Sequence, residues 1–504
     1  MSAPQNDALH ASIARGTRWV FYWRMATRIL GLASTLILIR VLAPADFGLV
    51  ALATGIANAV EQFGWLGVEN AIIREKAPGR DVYDTGFTIN AIRSLLTGAC
   101  VALAAYPAAT FFGETRLADI MLALAASTLL SGAENIGIVD FRRDFAFNKE
   151  FVYLLLPRLA SIVLAIGTAL LFHSYWALVV GIVSSRVLRI VFSYVMHPYR
   201  PRLSLSAWRV LASYSMWTWL LGMTVLVRDR SDIMVIGRML TSVQVGIYSI
   251  AFEVASMTTA EIIEPLQRAA FSGFVAARNS GTPLSGSLLR VLGSVSLFAL
   301  PATMGMSLVA DPLLKLVVGL KWTEAVPLVE ILGAAGVTVV AGYTCRTLLS
   351  SFDELGSTIG ITLAFGALRV GAMIVAILQF GLPGAAVAAG GAMALEGVAY
   401  IVVTCRTLGI TPGQFAQPVW RAALATLAMT AGVWGLGLGW QRTPATTPFV
   451  LGEELATASL TGAVIYASVL FAAWVASGRP EGAEADALRT GRRAFGRLRR
   501  HLPA

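Results

Sequence analysis

The chain has 504 residues, of which 56% are hydrophobic and 13% charged; with a mean hydropathy of +0.70, it carries about half the charge of a typical soluble domain. Its 39 basic and 29 acidic residues leave a formal net charge of +10, yet there is no unbroken run of like charge, which argues against a nucleic-acid footprint. Cys100, Cys345 and Cys405 lie in or at the ends of apolar runs without a near partner, so neither a disulfide framework nor a zinc site is expected. His10, His173, His197 and His501 are too far apart to suggest a metal cluster. Together with many glycines, this composition predicts an all-α, polytopic membrane protein.

A bilayer crossing takes about 20 apolar residues. In chain order the predicted spans are Trp19–Val41, Phe47–Ile73, Phe87–Phe112, Leu117–Val139, Phe151–Phe172, Trp176–Met196 and Tyr214–Ile236. The second half continues with Val245–Phe271, Leu288–Val309, Val326–Ser350, Thr358–Phe380, Ala385–Thr404, Val419–Trp440 and Leu455–Ala476, which makes fourteen. Alternate loops sort the basic residues. Arg15, Arg18, Arg74, Lys76, Arg80, Arg142, Arg143, Lys149, Arg200, Arg202, Arg209, Arg278, Arg346, Arg406 and Arg421 share one side with the arginines of the tail, while Arg40, Arg116, Arg238, Lys315, Lys321 and Arg442 lie on the other. The positive-inside rule then makes both termini cytoplasmic. The polar opening, Met1 to Ala14, lacks the pattern of a cleaved signal peptide, and the first span is expected to act as the targeting element.

An internal repeat is visible. Arg40-Val41-Leu42, Gly48-Leu49 and Leu52-Ala53 recur as Arg238-Met239-Leu240, Gly246-Ile247 and Ile250-Ala251 at a constant offset of 198 residues. A weaker echo pairs Arg158 with Arg369. The expected organisation is an N-lobe over 15–196 and a C-lobe over 208–406, each of six helices in parallel repeat. A terminal helix pair over 418–476 and a basic cytosolic tail over 477–504 complete it. The tail is expected to be solvated, although Leu488, Phe495, Leu498 and Leu502 among its arginines also fit a helix lying on an anionic membrane.

Several charges fall where charge is expensive. Ile29 to Ile39 is too short to cross a membrane, so the first helix must draw Arg24 and Arg28 into the bilayer. At 1.5 Å per residue, Arg28 sits roughly 14 Å from Trp19, near mid-depth, and on the same face as Arg24. In the seventh span, Arg228, Asp229, Arg230, Ser231 and Asp232 are embedded in the same way, and Arg228 and Asp232 are spaced to pair. Other embedded ionisable residues are Glu61, Arg93, Glu134, Arg158, Arg186, Arg189, Glu253, Glu261, Glu264, Arg290, Arg346, Arg369 and Glu396. Such charges face a wet cavity, pair with one another or snorkel to the headgroups. For Arg186, Arg189 and Arg346 pairing or snorkelling is expected. For Arg24, Arg28 and Arg228 a cavity role is expected, because arginine keeps its proton and its planar fork suits phosphate oxygens. Short external loops without catalytic clusters, and the lack of a P-loop, predict a protein that is not an enzyme and does not use ATP directly.

Five stretches carry a resemblance. They are Arg40-Val41-Leu42-Ala43-Pro44-Ala45-Asp46-Phe47-Gly48, Phe63-Gly64-Trp65-Leu66-Gly67 running on to Arg74, Asp140-Phe141-Arg142-Arg143-Asp144-Phe145, Arg230-Ser231-Asp232 through Arg238, and Val318-Gly319-Leu320-Lys321-Trp322. In order and spacing the chain resembles the bacterial oligosaccharide flippases, or polysaccharide transporters, of the multidrug/oligosaccharidyl-lipid/polysaccharide exporter superfamily. The resemblance implies two six-helix lobes around a central basic cavity. It also implies movement of undecaprenyl-diphosphate-linked sugar repeat units across the bacterial inner membrane, for exopolysaccharide, capsule or lipopolysaccharide O-antigen. On that reading Arg24, Arg28, Arg228 and Arg230 bind the diphosphate, and Glu61, Asp232 and Glu253 serve in coupling or charge pairing. No cofactor is expected beyond a coupling proton or sodium ion. The expected partners are the lipid-linked oligosaccharide, membrane lipids, and polysaccharide polymerase and co-polymerase proteins, with no nucleic acid. The alternatives are a cation-coupled exporter of drugs or small amphiphiles, and a non-transporting scaffold.

Overall fold

The computed structural model describes residues 22, 25–64, 68–75, 78–144, 146–208, 231–281, 283–351 and 355–489. Among them every regular element is a helix. The chain divides into two units, Met1–Gly246 and Ile247–Ala504.

In the first unit, α1 (residues 25–41) is followed by α2 (Pro44–Phe63) and the short α3 (Val68–Arg74). Next come α4 (Arg80–Phe112), α5 (Arg116–Ser131), α6 (Val139–Arg143), α7 (Phe147–Phe172) and α8 (Trp176–Met196). Residues 231–239 form α9. Helices α4 and α5 form a hairpin, as do α7 and α8. The first turns at Gly113 (φ 70°), the second at His173 (φ 48°). Leu38 and Leu42 pack α1 against Ala165 and Ala169 of α7 and Ala177 of α8.

Two expected spans are broken, each for a local reason. The stretch Phe47–Ile73 divides at Gly64, where an added Cβ would lie 2.6 Å from Thr97 Cγ2. Between α5 and α6 the axis bends by 72°. There Asn135 caps a 3-10 turn, its side chain accepting from Gly137 N–H at 3.0 Å and donating to the Tyr199 carbonyl at 2.7 Å. An asparagine that satisfies freed backbone groups lets an apolar segment bend without leaving polar atoms bare.

The chain leaves the first unit within α10 (Ser242–Asn279). The second unit then holds α11 (Leu284–Leu308), α12 (Ala310–Val317), α13 (Val326–Ser351), α14 (Leu355–Leu408), α15 (Pro412–Ala416), α16 (Trp420–Gly435) and α17 (Pro448–Ala476). A last short helix, α18, covers residues 483–489. Helix α14 is a hairpin rather than one rod. It breaks at Gly381 (φ 62°, ψ −142°) just before Pro383, and the Thr362 and Tyr400 hydroxyls meet at 2.7 Å across the two arms. This turn separates the expected spans Thr358–Phe380 and Ala385–Thr404. Small residues let α13 approach: a Cβ at Gly342 would lie 2.4 Å from Gly397 Cα.

Seven helices among the described residues are long and apolar enough to cross a membrane, and the bent pair α5–α6 makes an eighth. The hairpin α14 counts once in that number although each arm has membrane length. Large apolar side chains point outward, with Leu103, Leu171, Val195, Leu378 and Leu427 all exposed. Buried serines and threonines such as Thr88, Ser127, Thr303 and Thr426 donate to carbonyls one turn back. Such an inverted surface is stable with a bilayer as its solvent. The protein is a multi-pass membrane protein.

The repeat read in the sequence has a structural counterpart. Asp46 accepts from Ala43 N–H at 3.0 Å, and Gln244, 198 residues on, accepts from Thr241 N–H at 3.2 Å. Both copies therefore start their helix with a side chain reaching back to the cap. The copies also touch reciprocally. A Cβ at Gly48 would lie 1.7 Å from the Ser242 carbonyl oxygen, and one at Gly246 would lie 1.9 Å from that of Pro44. Pro44 and Ser242 are themselves equivalent positions, so the contact has two-fold character, and only glycine permits it.

Candidate substrate-binding site

Helix α8 of the first unit brings Arg186 and Arg189 one turn apart into a region crossed by α2, α5 and α7. Arg186 holds Glu61 of α2 with two nitrogens, at 2.7 and 3.2 Å. Its Nη1 also donates to Thr128 Oγ1 of α5 at 2.6 Å, and that hydroxyl reaches Glu61 Oε1 at 2.6 Å. Arg189 donates to Glu134 Oε1 at 3.1 Å, and Tyr153 of α7 donates to the same oxygen. The Arg189 guanidinium lies 5.9 Å from the Tyr153 ring centre. Two of the embedded arginines thus satisfy two embedded carboxylates, as interhelical pairing requires.

Arg28 on α1 and Arg158 on α7 are both exposed within the unit. Arg158 Nη2 comes within 3.3 Å of the position a Cβ would take at Gly31, one turn from Arg28. Glycine at 31 therefore admits the Arg158 guanidinium beside the turn that carries Arg28. Among the described residues no carboxylate pair is recorded for Arg158. Glu61 of α2 and Glu134, in the bend after α5, are held by Arg186 and Arg189. The Arg158 guanidinium thus offers planar N–H donors suited to phosphate oxygens.

The other expected site residues fall out as follows. Arg24, Arg228 and Arg230 lie outside the described residues. Asp232 is buried (3% exposed) on α9, and Glu253 is exposed on α10. Arg369, the echo of Arg158, is buried at 5% exposure in the first arm of α14. Its environment therefore differs from that of its counterpart. The neighbourhood of Arg158 and Gly31 was not anticipated; the mid-helix arginine was its only sequence signal. No group of three or more metal-ligating side chains is assembled among the described residues.

Beyond the membrane-spanning segments, His197 follows α8. Its Nδ1 accepts from Tyr199 N–H at 3.2 Å, and Nε2 lies 3.4 Å from Asp140 Oδ2. Burial lowers its pKa below the usual histidine value, while Asp140 acts in the opposite sense. Tyr199 is shifted upward, by burial first and then by its hydrogen bond to Asp84.

The architecture is that of the multi-span helical transporters. It superposes on a lipid II flippase MurJ in an inward closed conformation with a TM-score of 0.71, at 12% identity, covering 91% of this chain and 100% of that one. An inward-facing multidrug transporter of the MATE family gives a TM-score of 0.58 at 15% identity, over 76% of this chain and 94% of its own. The chain belongs to the polysaccharide biosynthesis protein family, whose pattern matches residues 37–327, more than half its length. It is similar to the succinoglycan biosynthesis transport protein ExoT of Rhizobium meliloti, with 23% identity over 64% of this chain and 65% of ExoT. It is also similar to the lipopolysaccharide biosynthesis protein WzxC of Escherichia coli, with 22% identity over 68% of this chain and 70% of that protein. The matched stretch thus spans slightly under two thirds of ExoT.

Proposed function

We propose that this protein is a flippase, and not an enzyme, that carries oligosaccharide repeat units linked to undecaprenyl diphosphate across the bacterial inner membrane by alternating access. The export serves exopolysaccharide, capsule or O-antigen synthesis. The observation that carries this reading is in the first unit, where Glu61 and Glu134 are taken by Arg186 and Arg189 while Arg158 is exposed with its guanidinium beside Gly31 of α1. A diphosphate leaving water needs fixed cationic donors at mid-depth. A drug exporter that takes cations needs carboxylates there, and in the first unit Glu61 and Glu134 already hold arginine. Arg24, Arg228 and Arg230 join this site on the sequence reading, with Asp232 steadying Arg228. Glu61 or Glu253 is the group through which a proton or sodium ion would couple. Family membership and the names of the relatives support the same substrate class.

Both termini are cytoplasmic on the loop-charge asymmetry. Cysteines placed at Glu114, His173 and Thr443 are then reached from outside intact cells by an impermeant thiol reagent, whereas those at Gly79, Arg200 and Ser477 are not. For transport, polymer is measured in a flippase-null strain carrying Arg24→Ala, Arg28→Ala, Arg158→Ala or Arg228→Ala. Loss of polymer at normal protein level is expected, with Arg28→Lys intermediate because lysine lacks the bidentate fork. Wild-type polymer from all four alanine variants overturns the cationic site.

A further inference from the structure

The terminal helix pair frames an apolar groove of about 1180 Å³ against α11. Pro301, Met429, Gly462, Tyr466 and Phe471 contribute to its walls. Phe298 at 54% exposure, Leu460 at 67% and Val464 at 64% flank it, so the groove opens onto surfaces that face the bilayer. One end is closed by Glu484, Ala487 and Leu488 of α18. These residues were expected to be solvated, yet Glu484 is 8% exposed. Among the described residues it is the single charged one lining the groove.

Glu484 is buried because Arg421, at the start of α16, meets it with two nitrogens, Nε at 2.6 Å and Nη2 at 3.2 Å. Arg421 is itself 8% exposed, and its guanidinium lies 5.7 Å from the Trp420 ring centre. Glu484 lines the groove, so the planar cationic fork that grips its two oxygens lies directly behind the groove wall. Two further contacts hold the segment that carries Glu484. Trp474 Nε1 donates to the Pro480 carbonyl at 3.1 Å, and Ala483 Cβ lies 3.6 Å from the Cβ position of Gly293. Outward, Arg489 pairs with Glu481 and Asp486 at the surface. Past Arg489 the sequence carries Arg492, Arg493, Arg497, Arg499 and Arg500, a charge run complementary to an anionic membrane surface.

We propose that Arg421 is the headgroup anchor of a binding site for an anionic phospholipid whose acyl chains lie in this groove. Glu484 is the internal stand-in that fills the anchor until a lipid phosphate displaces it. Two oxygens of a phosphate diester match the fork as the two carboxylate oxygens do. The bilayer-facing flanks let a lipid enter sideways. The arginines beyond Arg489 favour a lipid of net negative charge over a zwitterionic one, and they draw the released tail onto the same membrane. The site lies wholly in the second unit and does not depend on the flippase reading.

The test is native mass spectrometry of the full-length protein after exchange with phosphatidylglycerol, phosphatidylcholine or a polyprenyl phosphate, counting retained lipid. Glu484→Gln removes the competing carboxylate charge and should raise phosphatidylglycerol retention about tenfold, with little change for phosphatidylcholine. Ala463→Trp places bulk on an exposed groove residue, leaves the ion pair intact and should abolish the gain when combined with Glu484→Gln. Arg421→Gln alone strands Glu484 without a cation, so the anchor is tested in the double variant Arg421→Gln/Glu484→Gln, which has neither charge and should lose retention. Equal phosphatidylglycerol retention in wild type, Glu484→Gln and the double variant overturns the proposal. Preference for the polyprenyl phosphate over phosphatidylglycerol overturns the assigned occupant.

Discussion

Arg186 in the first unit and Arg421 in the second each grip a carboxylate with two nitrogens, at 2.7 and 3.2 Å in one case and 2.6 and 3.2 Å in the other. Their surroundings differ. The Arg186 and Glu61 side chains are 24% and 28% exposed, those of Arg421 and Glu484 only 9% and 8%. The first pair ties neighbouring helices in a half-wet interior, and Thr128 shares the load. The second joins α16 to a short tail segment in a dry niche. Similar hydrogen-bond geometry therefore gives an arrangement that water can help rebuild in one place, and in the other a contact whose members depend entirely on each other.

That contrast sets the order of expected damage. Arg421→Ala leaves Glu484 buried without a cation and should cost about 3–5 kcal/mol, read as a lowered midpoint in thermal unfolding of the detergent-solubilised protein. Adding Glu484→Gln should recover most of it. If the single and double variants unfold together, the pair is not the dry contact its burial implies.

The loop between α16 and α17 is pinned by a second buried group. Asp311 Oδ2 accepts from Lys315 Nζ at 2.9 Å and from Thr443 N–H at 3.0 Å. Lys315 also donates to the Thr443 carbonyl at 2.7 Å. Nearby Arg442 holds both oxygens of Glu330, and that hydrogen-bonded pairing shifts its pKa upward. Asp311→Asn keeps an acceptor but loses the charge facing Lys315, for an expected cost of about 2–3 kcal/mol. The loop at Thr443 should then become more open to proteolysis. Arg186→Ala comes next, at roughly 1–2 kcal/mol, because solvent reaches Glu61 when its partner leaves. Its clearer mark is functional. With Glu61 released as a free acid, transport should fall further than stability does, and the reversed pair Glu61→Arg/Arg186→Glu should restore part of it. A stability loss for Arg186→Ala as large as that for Arg421→Ala would erase the distinction between the two niches.

Much of this was legible from one sequence, and the gaps have physical causes. Apolar runs end where the bilayer ends, so Trp176–Met196 is read to the residue and the turn at Gly381 falls between two expected spans. Helix α4 starts at Arg80 rather than Phe87 because Asp84 and Thr88 find partners in residues 199–204. A hydropathy pattern treats such polar residues as the end of a span. The bend after Ser131 was hidden because apolar residues continue on both sides of Asn135. Embedded charges stood out one by one, but Glu61 and Arg186 are 125 residues apart, and only the fold decides which acid meets which base. The tail shows the same limit. Ala483, Ala487 and Leu488 are weakly apolar among many charges, and nothing local announces that Glu484 will be buried by Arg421.

The smallest effect expected concerns a single proton at the membrane surface. His197 packs edge-on to Phe141, with ring centres 5.7 Å apart, and sits over Gly137, where a Cβ would lie 2.3 Å from its Nδ1. Because Nδ1 accepts from Tyr199 N–H, it needs its lone pair, and the remaining proton is on Nε2, facing Asp140. Protonating Nδ1 would set two N–H groups against each other. Geometry and burial therefore act together to keep the ring neutral, with Lys149 and Arg200 adding to the shift while Asp140 and Asp144 oppose it. The folded-state pKa is thus below the ordinary value of 6.5. Above pH 6.5 the ring is neutral whether the chain is folded or not, and no stability is at stake. As pH falls from there through the folded pKa, the unfolded chain takes up the proton more readily and the fold loses stability. Nitrogen-15 spectra of histidine-labelled protein in nanodiscs, assigned by the resonance missing in His197→Gln, should show a midpoint below 6.5 and the Nε2-protonated tautomer above it. A midpoint above 6.5 would mean that Asp140 outweighs burial, placing His197 with the carboxylate-paired cations of the molecule rather than with its neutral surface struts.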